Sequence, residues 1–211
     1  MSASSGVGLF RFSGLLVFLV LCACVVLSTR WLVGDVNHYS VVPVMDVWNE
    51  QGAVTSLDEW EGVNRTLEFS QKLDASEPEY YRLQGLAYDW RGFAIEGEEI
   101  AAGDLMAARR NALEAYREMA HNRPADPASW AHLARLKILA GERDEEFRLA
   151  LGNALVLGEN RAAVIEEVAY AVSLGWSAVR DDEELMGLVG ERVCPFLEED
   201  VGGEIGVFCG R

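Results

Sequence analysis

Basic side chains are scarce in this sequence of 211 residues. It has 18 lysines and arginines against 34 aspartates and glutamates, which gives a net charge of −16. Only Lys72 and Lys137 are lysines, and every acidic residue follows residue 34. A domain this acidic is repelled by the phosphates of nucleic acid and by anionic lipid headgroups. The composition therefore excludes nucleic acid as a partner.

Recognisable catalytic and metal-binding patterns are also missing. The four cysteines have neither zinc-finger nor thioredoxin spacing, and the three histidines stand on different predicted elements. No G-x-S-x-G, Walker A or G-x-G-x-x-G pattern is present. The acidic runs 181–184 and 198–200 lack the spacing of a calcium loop. We therefore expect no enzyme, no bound metal and no cofactor.

Charge is absent from the eighteen residues between Arg11 and Arg30, FSGLLVFLVLCACVVLST. Such a run is long enough to cross a bilayer as a helix, and Trp31 beyond it suits the aromatic belt of a membrane interface. The sequence predicts a short leader over 1–11, with the N-terminus inside, and a transmembrane signal anchor over 12–33. A cleaved secretory signal is one alternative. A bacterial lipobox, Leu21-Cys22-Ala23-Cys24, is another, and Cys24 would then carry the lipid.

The rest of the chain is predicted to be helical, without a convincing strand. A connector over 34–56 contains a short helix near 44–50, and a helical domain follows over 57–180. Its best-marked part is a pair of short helices between Asp126 and Gly158. Asp126-Pro127 begins the first helix, Gly141 ends it, and Asp144 caps the second.

A bulky Trp on the first helix of this pair and small alanines on the second are typical of a tetratricopeptide-like hairpin. Units near 57–78, 79–124 and 125–160 differ in length, so the repeats are degenerate. The predicted fold is all-α, with one N-terminal transmembrane helix followed by a tetratricopeptide-like array of helical hairpins. Helical spacing places nine residues in the core, with Trp130 at its centre: Trp60, Tyr81, Tyr88, Tyr116, Trp130, Leu133, Phe147, Leu151 and Ala154.

The end of the chain, 181–211, is an acidic and Gly-rich tail. Before it, a helix capped by Asn160 is expected to stop at Gly175. In the tail, Cys194 and Cys209 form a disulfide if the domain faces an oxidising compartment. Two independent buried thiols are the alternative.

The aromatic residues leave a further alternative open. Six of them could line a carbohydrate or peptide groove, although aromatics at helical spacing are more often core: Tyr80, Tyr81, Tyr88, Trp90, Tyr116 and Trp130. A membrane-attached protein with such a groove would be a glycan-binding lipoprotein lipidated at Cys24.

Several motifs resemble one protein family. They are the N-terminal anchor, Gly85-x-x-Tyr88-x-Trp90-Arg91, Arg123-Pro124, Trp130-Ala131-x-Leu133-Ala134-x-x-Lys137 and Ala154-Leu155-x-Leu157-Gly158. Together they resemble the VpsP-type family of bacterial exopolysaccharide-biosynthesis proteins, over roughly residues 10–180.

The resemblance implies a small accessory protein of a polysaccharide operon, without catalytic residues. We then expect a single-pass protein of the bacterial inner membrane, held in the bilayer through 12–33, with a periplasmic domain. It would scaffold other membrane proteins of a polysaccharide synthesis or export complex.

Overall fold

The computed structural model describes residues 5–92, 102–197 and 203–210. Within these ranges the chain is all-α and contains no strand. The order of elements is α1 (Ser5–Gln51), α2 (Leu57–Leu73), α3 (Pro78–Trp90), α4 (Ala102–Asn122), α5 (Pro127–Leu139), α6 (Glu145–Leu157), α7 (Ala162–Val179), α8 (Glu183–Arg192), a 3-10 turn (Cys194–Phe196) and α9 (Gly203–Phe208).

Helix α1 is unbroken over 47 residues and passes through Pro43. The connector predicted over 34–56 is therefore, up to Gln51, a continuation of the apolar helix. Val41, Met45 and Trp48 recur at helical spacing and are buried, while Pro43 is exposed. Burial of this stripe against α2 and α3 stabilises the helix across the proline, which by itself would disfavour it.

The first part of α1 is long and apolar enough to cross a membrane, or to be a signal sequence. Its side chains from Leu15 to Arg30 are all exposed, and its mean hydropathy reaches 2.4 over an 18-residue window with no burial. Cys24 lies on this exposed helix, which continues past it without interruption. Among the described residues, α7 is also long and apolar enough to cross a membrane, but 39% of it is buried inside the domain.

The helices pack in a row, mainly against their neighbours in the chain. The helix α2 lies against α1, α4 against α3, and α6 against α5, while α5 also contacts α4 and α7. The helix α8 packs chiefly on α6. The sequence units 79–124 and 125–160 coincide with the α3–α4 and α5–α6 pairs, whereas α2 pairs with the part of α1 that was predicted to be a connector.

Two groups of buried side chains form the core. The smaller joins Trp48 of α1 to α2 and α3, and the indole Nε1 of Trp48 donates to Glu59 Oε2 at 2.8 Å. The Glu59 side chain therefore links α2 to α1. At the start of α2, the Glu59 backbone N–H donates to the side chain of Ser56, which is the N-cap. The larger group consists of buried side chains from every helix from α4 to α8.

The nine residues predicted for the core fall into two sets. Five are fully buried: Tyr116, Leu133, Phe147, Leu151 and Ala154. Four are only partly buried and pack against the core from its edge: Trp60, Tyr81, Tyr88 and Trp130. Placing Trp130 at the centre was wrong, because its indole Nε1 donates to the Pro124 carbonyl at 2.7 Å on the exposed side of the loop before α5.

Gly175 does not end α7, which runs on to Val179. A Cβ at Gly175 would lie 2.9 Å from Ile138 Cδ1 and 3.1 Å from Phe147 Cζ. Glycine at this position allows α7 to approach α5 and α6 closely. The N-cap of α7 is Arg161, one residue beyond the predicted Asn160.

The C-terminal tail is helical where it is described. Asp182 caps α8 by accepting from the Leu185 N–H at 3.1 Å, so an acidic side chain of the run 181–184 stabilises a helix start. Cys194 and Cys209 form a disulfide with a Cα–Cα distance of 5.2 Å. The acidic run 198–200 lies outside the described residues.

Candidate protein-binding groove

An open groove runs along the face built by α1, α3, α5 and α7, every second helix of the row. Its volume is about 560 Å³. Leu83 and Met45 are buried at its base, and the exposed Asp46, Asn49 and Tyr170 stand at its rim. Residues from these four alternate helices thus line one groove.

A network of charged side chains forms one wall of the groove. The Arg135 guanidinium on α5 donates to the Asp89 carboxylate on α3. Its Nε donates to Glu167 Oε1 on α7 at 2.5 Å, and His132 Nδ1 lies 2.9 Å from the same oxygen. Arg135 therefore joins three helices that are not consecutive in sequence.

The network is mutually stabilised. Burial would raise the pKa of Glu167, but hydrogen bonding to His132 and the charges of His132 and Arg135 lower it from 4.5 to about 2. Burial opposes the charge of Arg135, yet the Asp89 and Glu167 carboxylates hold the pKa of the guanidinium above its usual value. Each charged group in this wall is paired with another one. The wall therefore presents a polar surface, and its carboxylates are not free to act as a general base.

Behind this wall, Tyr116 of α4 supports His132. The two rings stack at a centroid distance of 5.0 Å, and Tyr116 is 1% exposed. Burial raises the pKa of the Tyr116 phenol well above its usual value, so the side chain stays neutral. Gly85 on α3 provides the space for the ring, since a Cβ there would lie 2.7 Å from two ring carbons.

A second charged cluster lies at the far end of α5. The Lys137 side chain is 1% exposed, and its ammonium donates to Glu142 at 2.8 Å, Asp144 at 3.0 Å and Glu146 at 2.5 Å. Burial disfavours the charged amine, but the carboxylates outweigh it and hold the pKa of Lys137 above its usual value. The three carboxylates are close enough together to hold a metal ion, but the ammonium already binds to all of them.

The aromatic residues named for a glycan groove are dispersed. Trp90 lines the groove, whereas Tyr81 and Tyr88 lie in a separate depression beside α4. Trp60 packs edge-on against Tyr88 at 5.7 Å and donates its Nε1–H to the Ala87 carbonyl at 2.7 Å. Most of this aromatic surface therefore joins helices to each other.

Apart from Trp90, the groove residues were missed in the sequence. Their one signal is Arg135, which with Lys137 is one of two cations in the otherwise apolar stretch LARLKIL. A buried or half-buried arginine needs acidic partners, and these come from positions 89 and 167, far away in the chain. Helical spacing alone could not identify them.

Comparison of the chain with protein-family models, with curated proteins and with solved structures finds no match.

Proposed function

We propose that this protein is a membrane-anchored, tetratricopeptide-like adaptor that binds a protein segment in the groove. The groove carries the proposal. It combines an apolar base with a polar rim, and alternate helices of the row form its wall, as in helical-repeat proteins that present a concave binding surface. The role is binding, not catalysis.

The anchor in this proposal is the apolar part of α1, which crosses the bacterial inner membrane once and leaves the helical domain in the periplasm. The long apolar run and its full exposure support the anchor. The disulfide between Cys194 and Cys209 supports the oxidising side of the membrane.

The process follows from the resemblance to VpsP-type proteins: the adaptor serves exopolysaccharide synthesis or export and holds other membrane proteins of that complex. The dispersal of the aromatic residues favours this role over the glycan-binding lipoprotein. A sugar-binding platform needs aromatic faces on one surface, and here most of them pack between helices.

The test uses full-length protein in the native bacterium, with the chromosomal gene deleted. Asp46→Lys and Tyr170→Ala change the rim of the groove, and both side chains are exposed. We expect each variant to accumulate normally in the membrane and to lower surface polysaccharide at least several-fold. Cross-linking from position 49 should join the protein to a polymerase, flippase or glycosyltransferase of the same operon.

The matched controls change residues of the same kind away from the groove. Phe196→Ala removes an exposed aromatic side chain from the 3-10 turn, and Asp58→Lys reverses an exposed charge on α2. Both should leave the polysaccharide unchanged. Equal loss in rim and control variants, or full activity of the rim variants, would refute the groove as the binding site.

A further inference from the structure

A second concave surface lies where α2 ends beside α1, and it is lined almost entirely by hydrocarbon. The notch has a volume of about 310 Å³. Val25, Val26 and Val33 of α1 form one side, and Phe69 and Leu73 of α2 form the other. Phe69 remains 50% exposed although it faces other apolar side chains.

The position of the notch along α1 relates it to the bilayer. The uncharged run ends at Thr29, and a helix rises about 1.5 Å per residue, so Val25 lies about 6 Å inside that boundary. The last turn of α2 contacts α1 at the same level. When the uncharged run crosses the membrane, this turn must therefore lie at the level of the lipid headgroups and the first acyl carbons.

The last carbonyls of α2 have hydrogen-bond partners, as carbonyls near the hydrocarbon of a bilayer require. The Arg30 guanidinium donates to the Leu73 carbonyl and, at 3.5 Å, to the Lys72 carbonyl. Carbonyls at a helix C-terminus have no partner within the helix, and leaving them unpaired near hydrocarbon is costly. A cation there also complements the negative end of the helix dipole.

We propose that the notch holds an acyl chain of a phospholipid from the bilayer that α1 crosses, so that α2 is a second, interfacial contact with the membrane. Phe69, Lys72 and Leu73 share one face of α2 by their spacing. Lys72 is exposed, and it supplies a positive charge near the lipid phosphate, whereas the other lysine of the chain is buried. This inference rests on the membrane-spanning role proposed for α1.

The experiment measures the depth of nitroxide labels in full-length protein reconstituted into phosphatidylcholine vesicles. The free cysteines are removed as Cys22→Ser and Cys24→Ser, while the disulfide is kept. Single labels are placed by Phe69→Cys, by Glu61→Cys, and by Leu19→Cys within the uncharged run. Glu61 lies two turns before Phe69 on the same face of α2 and is exposed.

Collision rates with oxygen, which concentrates in lipid, and with a water-soluble nickel chelate report each label's surroundings. We expect the oxygen-to-nickel ratio at position 69 to exceed that at position 61 several-fold and to approach that at position 19. Leu73→Cys gives a second readout of the notch if the Phe69 variant has less helix by circular dichroism.

The outcomes separate the two proposals. A lipid-like ratio at position 19 together with water-like ratios at positions 69 and 73 overturns the notch and keeps the anchor. A water-like ratio at position 19 overturns the anchor and the notch with it.

Discussion

Gly85 offers the sharpest test of the packing behind the groove. In Gly85→Ala the new methyl carbon would lie 2.7 Å from Cε1 and Cζ of Tyr116 and 2.9 Å from Cε2. The ring cannot easily move, because it is buried and stacked on His132. Overpacking of this kind costs about 1–3 kcal/mol, and the gain in helix propensity offsets about 0.5–1 kcal/mol. We therefore expect a net loss of about 1 kcal/mol in the free energy of unfolding, within a range of about 0–2.5 kcal/mol.

The matched control is Gly62→Ala in α2, where a Cβ would meet no atom within 4 Å. It should stabilise the protein by about 0.5–1 kcal/mol through propensity alone. Urea unfolding of full-length protein in detergent micelles, followed by circular dichroism, measures both. In a double-mutant cycle, Tyr116→Leu should remove most of the penalty of Gly85→Ala. If Gly85→Ala stabilised the protein as much as Gly62→Ala, the close approach of α3 to Tyr116 would be refuted.

Three further changes test the charged clusters and the tail. Lys137→Met should lower the free energy of unfolding in urea by about 2–3 kcal/mol. This is less than the loss of a fully buried ion pair costs, because the carboxylates around Lys137 reach water. An unchanged stability would mean that the ammonium is solvated. Because the folded pKa of Glu167 lies below the unfolded value, its contribution is present above pH 4.5 and is lost as the pH falls towards about 2. Glu167→Gln should therefore flatten the acid limb of stability against pH, and an unchanged limb would contradict the pairing with Arg135. Alkylation under denaturing conditions should modify two cysteines before reduction and four after it, and reduction of Cys194–Cys209 should lower stability by about 3 kcal/mol; four adducts without reductant would exclude the bond.

Local signals in the sequence identified most helix boundaries. Ser56, Asp144 and the pair Asp126-Pro127 stand at helix starts, and Gly141 adopts a positive φ of 78° after α5. Ser56 and Asp144 each accept from a backbone N–H in the next turn, and Gly141 acts through its own backbone, so a sequence pattern contains their whole cause. Asp126 makes no such capping hydrogen bond.

Other features depend on contacts that the sequence does not display. A connector was predicted over 34–56, yet burial of the Trp48 face against α2 and α3 keeps α1 helical up to Gln51. Gly34 is a site of close approach, since a Cβ there would collide with the Tyr80 hydroxyl. Trp130 has core spacing, but a hydrogen bond to the preceding loop holds its indole at the edge.

The groove shows the same limit more clearly. Arg135 and Asp89 are 46 residues apart, and Arg135 and Glu167 are 32 apart. Their meeting depends on how three helices align, which is set by many apolar contacts and by the space at Gly85 and Gly175. Neither the partners of Arg135 nor the groove that they border could be derived from periodicity.

If the protein acts as proposed, the continuity of α1 has a consequence for how a partner would be encountered. A flexible linker would let the domain explore a broad volume, and the local concentration of its binding surface would fall accordingly. Here one helix runs from the apolar segment to Asp46 at the groove rim, about 25 Å beyond Thr29. With α1 in a bilayer, the groove stays within a thin layer at a fixed height. A partner in the same membrane would then meet the groove by lateral diffusion in two dimensions, at a high effective concentration, if its binding segment lies at that height. A partner whose segment ends closer to the membrane would not reach the groove.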